Sequence, residues 1–319
     1  MRVSMLGAVC AVAGMLMGGV GHAQPQSLTL GTASVGGTYF IYGGVVASLL
    51  TEKLGINVST QQTQGPNQNM ILINNKNIEL GMVTMGVALH GWNGTGWAKG
   101  KKYDAVRAAF PMYDTPFHFI VTEQSGIRSV AEMAGKNVGV GPRAGTPGTY
   151  FPLMFDTLGI KVTIRNGGAS DMASQLGDGL LDVFAFAAGL PIAAFSEIEA
   201  QRPVRFIRFT DEQLKTLKEK IPELSDSVIP KGTYKSLTED HPTVGVYNFF
   251  VVHKDLPDDL VYNITKTVME NHEAMVKGRA AAKETVPENA VKNTFLPFHP
   301  GAARYFKEKG INLNPKTVM

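Results

Sequence analysis

Short β-rich runs alternate with helical patterns from Ser27 onward, and this alternation constrains the fold more than any other feature. "INVSTQQ" and "IELGMVT" are typical of strands, and "NQNMILINNKN" between them is typical of a helix. Strands that alternate with helices in this way build parallel sheets covered by helices. The sequence therefore predicts an α/β fold. Further strands are predicted at "AVRAAFPM", "FHFIVTE", "NVGVG", "KVTIRN", "LDVFAFA" and "VRFIRFT", and a helix at the capping box "SVAE".

The N-terminal residues predict export. Arg2 precedes the apolar stretch "VSMLGAVCAVAGMLMGGV", and "GHA" follows it, which is the pattern of a signal peptide cleaved after Ala23. A retained membrane anchor and a lipoprotein modified at Cys10 are the alternatives. Cys10 is the only cysteine. After cleavage the chain would contain no thiol and no disulfide, which excludes cysteine nucleophiles and metals bound by cysteine.

The mature chain is large enough for two domains and is nearly neutral. About 296 residues follow Ala23, which exceeds the usual size of one domain. Without Arg2, 29 basic residues face 27 acidic ones, and this balance argues against a nucleic-acid partner. No later apolar run approaches the length needed to span a membrane.

Two segments share one layout of an aromatic strand, a polar turn and a helix. They are "FHFIVTEQSGIRSVAEM" from Phe117 and "YNFFVVHKDLPDDLVYNI" from Tyr247. If these strands are two crossings between lobes, residues 24–121 and 248–319 form lobe 1 and residues 122–247 form lobe 2. Two ordinary consecutive domains are the alternative.

A glycine-rich turn, "GTASVGGTYFIYG" from Gly31, leads from the strand "SLTL" into a helix. It lacks the lysine of a Walker loop and the second glycine of a dinucleotide fingerprint. Free N–H groups at a helix start attract anions, and the hydroxyls of Thr32, Ser34 and Thr38 favour a small carboxylate over a phosphate ester. A tight turn that simply needs glycine is the alternative.

A second turn of the same kind, "GVGPRAGTPGTY" from Gly139, occurs in the other predicted lobe. Arg143 is the one cation in either turn, and a guanidinium is suited to a bidentate contact with a carboxylate. A solvated surface arginine is the alternative. Two such turns are predicted to face each other across a cleft, where a small ligand is expected.

Catalytic patterns are weak. The histidines after Ala23 show no i, i+2 or i, i+4 pair suited to zinc, and no Gly-x-Ser-x-Gly elbow is present. Neither an enzyme nor a cofactor or metal is predicted. Trp92 and Trp97 flank a glycine-rich loop, where they would either wall a ligand or cover the lobe surface.

Six motifs in order carry a resemblance to a known family: "LGTASVGGTYFIYGG", "GIRSVAEMAGKNVGVG" with "AGT" behind it, "FAFAAGLPIAA", "IPKGTY", "HPTVGV" and "FHPGAARYF". The chain resembles the TAXI group of solute-binding proteins that serve TRAP transporters. The resemblance implies a two-lobed, type II-like periplasmic binding protein fold with two crossover strands and a ligand cleft between the lobes. It also implies a small carboxylate ligand, such as glutamate or 2-oxoglutarate, and a TRAP-type membrane permease as partner.

The resemblance also implies which residues face the ligand. The second loop of the family usually carries small residues where Arg143 stands, and "VTMGVALHG" replaces a Val-Gln-Ser-Asp-like run. A permease that contacts one lobe from each side favours a monomer. A binding protein for a membrane sensor and an enzyme on the same scaffold are the alternatives. The implied residues are Ser34, Gly37, Thr38, Tyr39, Asn67, Thr84, Gly145, Thr146, Ala188 and Gly189.

Overall fold

The computed structural model describes residues 27–318, so the predicted signal peptide lies outside the described residues. Within that range the strands are β1 (Ser27–Gly31), β2 (Asn57–Gln61), β3 (Leu80–Thr84), β4 (Val106–Thr122), β5 (Asn137–Gly139), β6 (Thr163–Arg165), β7 (Val183–Ala187), β8 (Val204–Ile207), β9 (Ser225–Ile229) and β10 (His241–His253). The α-helices are α1 (Thr38–Leu54), α2 (Pro66–Asn74), α3 (Met85–Asn93), α4 (Thr146–Thr157), α5 (Ala169–Gly177), α6 (Ala193–Gln201), α7 (Asp211–Lys220), α8 (Asp258–Glu270), α9 (His272–Gly278) and α10 (Pro300–Glu308).

The strands join in the order β2-β1-β3-β10-β4-β7-β5-β6, with β8 beside β4 and β9 beside β10. Strands β1, β2 and β3 are parallel to one another, and so are β5, β6 and β7. Helices follow most of these strands along the chain. The predicted α/β fold is therefore confirmed. We call β1–β3 with α1–α3 and α8–α10 the first lobe, and β5–β8 with α4–α6 the second lobe.

Strand β4 belongs to both lobes. Its residues 106–116 pair with β10, and its residues 117–122 pair with β7 and β8. The sequence predicts two separate strands here, yet the structure contains one of 17 residues. Register irregularities in β10 lie opposite the Pro111 region, where a proline that cannot donate to the ladder is tolerated. The lobe boundaries after residues 121 and 247 stay a prediction.

The capping box at Ser129 does not begin an α-helix. Ser129 Oγ accepts the Glu132 N–H at 3.4 Å, but the Glu132 carboxylate accepts from the Arg128 N–H at 2.8 Å instead of from Ser129. Only a 3₁₀ turn, Ala131–Met133, follows. Gly135 has a φ of +77°, which turns the chain towards β5 before a longer helix can form.

The core joins the two lobes through β4. Phe110 stacks on Phe250 of β10 with ring centroids 4.5 Å apart, and Phe117 contacts the rings of Tyr150 and Phe151 on α4. All five side chains are at most 1% exposed. Among residues 27–318, no helix combines the length and the hydrophobicity needed to cross a bilayer.

Candidate functional site

The first glycine turn connects β1 to α1. Its Thr32 N–H donates to Gln61 O at 2.9 Å, and Gly36 has a φ of +85°, which only glycine adopts without strain. Helix α1 begins after Gly37, which has no side chain to cap the helix. The first N–H groups of α1 therefore lack partners within the helix and are free to bind a ligand.

The second glycine turn connects β5 to α4 in the same way. Helix α4 begins after Gly145, again without a side-chain cap, and Pro147 lies in its first turn. Gly141 has a φ of +73°, and a Cβ there would lie 2.5 Å from the ring of Phe186. The Phe186 ring therefore packs against the backbone of this turn, and the start of α4 lies beside that ring.

Each turn contacts the opposite lobe. Thr84 Oγ1 of the first lobe lies 3.0 Å from Thr146 Oγ1 of the second, and the Asn67 N–H donates to Ala144 O at 3.3 Å. On the other side, Ser34 Oγ accepts the Ala169 N–H at 3.3 Å. Contacts on both sides therefore hold the lobes together in a closed arrangement.

A cavity lies between the turns, with about 400 Å³ of space that protein atoms do not fill, part of it open to solvent. Every described residue that lines it has a neutral side chain. Within residues 27–318, no group of three or more His, Cys, Asp and Glu side chains is arranged to hold a metal ion. The lining residues are Ala33, Ser34, Gly37, Thr38, Tyr39, Gln64, Gly65, Pro66, Thr84, Thr115, Pro142, Gly145, Thr146, Pro147, Phe186, Ala187, Ala188 and Asn248.

Residues 30–310 match the family described as NMT1-like. The chain belongs to the NMT1-like family.

Solved structures of periplasmic binding proteins share the fold of this NMT1-like protein. One described as a periplasmic transporter has a TM-score of 0.55 at 14% identity, covering 88% of this chain and 92% of its own. An ancestral arginine-binding protein gives 0.51 at 13% identity, with coverages of 82% and 97%. A third structure, bound to L-arginine, gives 0.50 at 13% identity, with coverages of 82% and 90%. The two-lobed periplasmic binding protein fold is therefore confirmed, while membership of the TAXI group stays a prediction.

The structure brings most of the predicted site residues of this NMT1-like protein together. Asn67, Arg143 and Gly189 are not among the lining residues. Asn67 donates to Thr149 Oγ1 at 3.2 Å and so joins α2 to α4, and Arg143 is exposed on the surface. That the lining residues bind a ligand stays a prediction. Those in the cavity are Ser34, Gly37, Thr38, Tyr39, Thr84, Gly145, Thr146 and Ala188.

The tryptophans pack elsewhere. Trp97 Nε1 donates to Val87 O at 3.0 Å and its ring stacks on Tyr103, with centroids 5.2 Å apart. Trp92 lies beneath the guanidinium of Arg107 at 5.5 Å. Neither side chain lines the cavity, so both serve the packing of the first lobe in this structure.

Sequence reasoning missed Asn248 and Thr115, which form one wall of the cavity. The Tyr39 hydroxyl donates to Asn248 Oδ1 at 2.6 Å, and Asn248 Nδ2 donates to Tyr113 O and to Thr115 Oγ1, both at 2.6 Å. Burial raises the pKa of Tyr39, so this hydroxyl stays protonated. The available signal was an asparagine inside the apolar strand "YNFFVV", where a buried polar side chain needs partners.

Arg279 supplies positive charge directly behind the cavity wall. Its Nη2 donates to Thr38 Oγ1 at 3.0 Å, to Gly189 O at 3.3 Å and to Pro191 O. The Thr38 hydroxyl itself donates to Gly189 O. Burial lowers the pKa of Arg279. No motif in "VKGRAAAKE" marked this residue, because its partners lie far away along the chain.

Replacing Arg279 with methionine is expected to destabilise the protein by about 2 kcal/mol, because hydrogen bonds from a charged donor contribute about 1.5–3 kcal/mol. Gly189 O and Pro191 O would lose a donor that joins the first lobe to the second. Urea unfolding measures the effect. Arg304→Met is the matched control, since the exposed Arg304 pairs with the exposed Asp259 and lies over the Tyr262 ring at 4.3 Å, and little change is expected. Equal losses in the two variants would contradict the role of Arg279.

Proposed function

We propose that this protein is an extracytoplasmic solute-binding receptor that captures a small organic anion, a carboxylate. One observation carries the proposal: the uncapped starts of α1 and α4 both reach one cavity between the lobes. The positive ends of two helices favour negative charge, and their free N–H groups suit carboxylate oxygens. The fold supports a receptor, since the structures that share it include an ancestral arginine-binding protein and one described as a periplasmic transporter.

Closure of the lobes accompanies binding in this proposal. The first glycine turn contacts the starts of two helices in the second lobe: the Ser170 N–H donates to Val35 O at 3.3 Å, and the Ala194 N–H donates to Gly36 O at 3.2 Å. An anion that contacts α1 and α4 together binds the closed state more tightly than the open one. Such differential contact is what shifts the lobes towards closure.

Delivery to a TRAP-type membrane permease is proposed from the motif resemblance, with export through residues 1–23 and a monomeric receptor. A gene for a large multi-span permease next to this one would support transport. A neighbouring sensor kinase gene would support the sensing alternative instead. Turnover of a bound ligand during prolonged incubation would favour an enzyme on the same scaffold.

Small carboxylic acids are expected to raise the melting temperature of the purified protein. At a concentration one hundred times the dissociation constant, a ligand stabilises by about 2.7 kcal/mol. The measurement is a thermal-shift panel of monocarboxylates, dicarboxylates, keto acids, amino acids and aromatic acids, with the methyl ester of each acid as its uncharged control. An ester that shifts the melting temperature as much as its acid, or a panel without any shift, would contradict the carboxylate proposal.

A further inference from the structure

The charge of the cavity wall limits which carboxylate ligands fit. Its described lining is neutral throughout, so a ligand ammonium would find no carboxylate there. Two carboxylates of neighbouring segments have partners elsewhere. Asp114, beside Thr115 on β4, accepts from the Ser227 hydroxyl and lines two other cavities together with Glu284. Glu223 pairs with His90.

The hydrogen-bond donors and acceptors of the cavity wall also disfavour a ligand ammonium. Protein donors already occupy acceptor positions there: Ser34 Oγ accepts from Ala169 N, and Thr115 Oγ1 accepts from Asn248 Nδ2. Asn248 Oδ1 accepts from Tyr39. Each of the two hydroxyls keeps its proton and one acceptor position, since a hydroxyl carries one donor and two acceptor lone pairs. Together with the free N–H groups of α1, the wall is richer in donors than in acceptors.

An ammonium group would be costly in these surroundings. Removing it from water costs several kcal/mol unless a counter-charge and hydrogen-bond acceptors replace the water. The positive ends of α1 and α4 add repulsion. A keto or hydroxyl oxygen at the same carbon is neutral and accepts a hydrogen bond from the free hydroxyl protons.

We propose that the site selects carboxylic acids without an ammonium group, meaning 2-oxo, 2-hydroxy and unsubstituted acids, over amino acids with the same carbon skeleton. This inference rests on the proposed function, because it names the class of anion bound at that site.

Matched pairs of ligands test the selectivity. The full chain is expressed with its own N-terminus, purified, freed of bound ligand by reversible unfolding, and titrated by calorimetry. The pairs are lactate and alanine, 2-hydroxyisovalerate and valine, 2-oxoglutarate and glutamate, and phenyllactate and phenylalanine. In every pair that binds, the acid is expected to bind at least tenfold more tightly than the amino acid. A smaller preference would overturn the inference and leave the carboxylate receptor intact, whereas no binding in any pair would overturn both.

A charge placed on the wall provides a second test. Thr115→Asp adds a carboxylate beside Asn248, and Thr115→Asn is the control of nearly equal size. The ratio of acid affinity to amino-acid affinity is expected to fall at least tenfold in Thr115→Asp relative to Thr115→Asn. An unchanged ratio in two folded variants would overturn the inference. If Thr115→Asp fails to fold, the matched pairs on the unaltered protein decide the question.

Discussion

Replacing Gly145 with valine is expected to weaken ligand binding at least a hundredfold while leaving each lobe folded. A Cβ at Gly145 would lie 3.1 Å from Gln64 O of the opposite lobe and 3.1 Å from Pro142 O of its own turn, and the two γ-carbons of valine have still less room. The backbone itself suits valine, with φ −101° and ψ 165°. The strain therefore falls on the contact with Gln64 between the lobes and on the second glycine turn at Pro142. A hundredfold loss corresponds to about 2.7 kcal/mol.

Gly44→Val is the matched control for this experiment. A Cβ at Gly44 would meet nothing within 4 Å, so ligand binding is expected to stay unchanged. Calorimetry measures affinity, and small-angle scattering with and without ligand measures closure. If Gly145→Val binds as tightly as the unaltered protein, then binding does not require the second glycine turn to approach the first lobe at Gln64, and the closure mechanism fails.

Acidification from pH 6.5 to pH 4.5 is expected to reduce the free energy of unfolding by about 4 kcal/mol through two buried histidines. Burial lowers the pKa of His118 to about 3 and that of His241 to about 4. An unfolded histidine titrates near pH 6.5, so below that pH the unfolded state binds protons that the folded state does not. Each histidine then costs about 1.4 kcal/mol per pH unit, and the loss ends near the folded pKa values.

Two hydrogen bonds in the second lobe suit the neutral form of His118. Its Nδ1 lies 3.0 Å from Pro116 O and its Nε2 lies 3.1 Å from the Tyr234 hydroxyl. Because the Pro116 carbonyl can only accept, Nδ1–H donates to it, and Nε2 of the neutral ring accepts the proton of the Tyr234 hydroxyl, which itself accepts the Ile192 N–H at 2.8 Å. The tautomer follows from this network, which positions the start of α6.

His118→Gln isolates the contribution of this residue. The slope of unfolding free energy against pH between 6.5 and 4.5 is expected to fall by about 1.4 kcal/mol per pH unit. Comparison of slopes is needed because burial raises the pKa of Asp114 and Glu284, which favours folding as pH falls. His272→Gln, at the partly exposed start of α9, is the control. A slope that His118→Gln leaves unchanged would mean that His118 accepts its proton within the folded protein.

Much of the fold was predictable because its signals are local. Alternating strand and helix patterns depend on residues a few positions apart, and they placed most elements to within a few residues. The predictions failed where contacts with distant segments set the length or the type of an element. The run Val106–Thr122 is one strand because β10, β7 and β8 pair with its successive parts. The "SVAE" segment is only a 3₁₀ turn, because the chain must turn into β5 directly after it.

The sequence by itself determined the α/β class and the two glycine turns with their uncapped helix starts, since a strand, a turn and a helix start are contiguous in the chain. Only the tertiary structure decided which side chains share the cavity. Arg279 reaches Thr38 across 241 positions, and Asn248 reaches Tyr39 across 209. Arg143 lies within the second turn and yet points to solvent. The physical reason is that side-chain direction and partners are set by packing between distant segments, which no local pattern records.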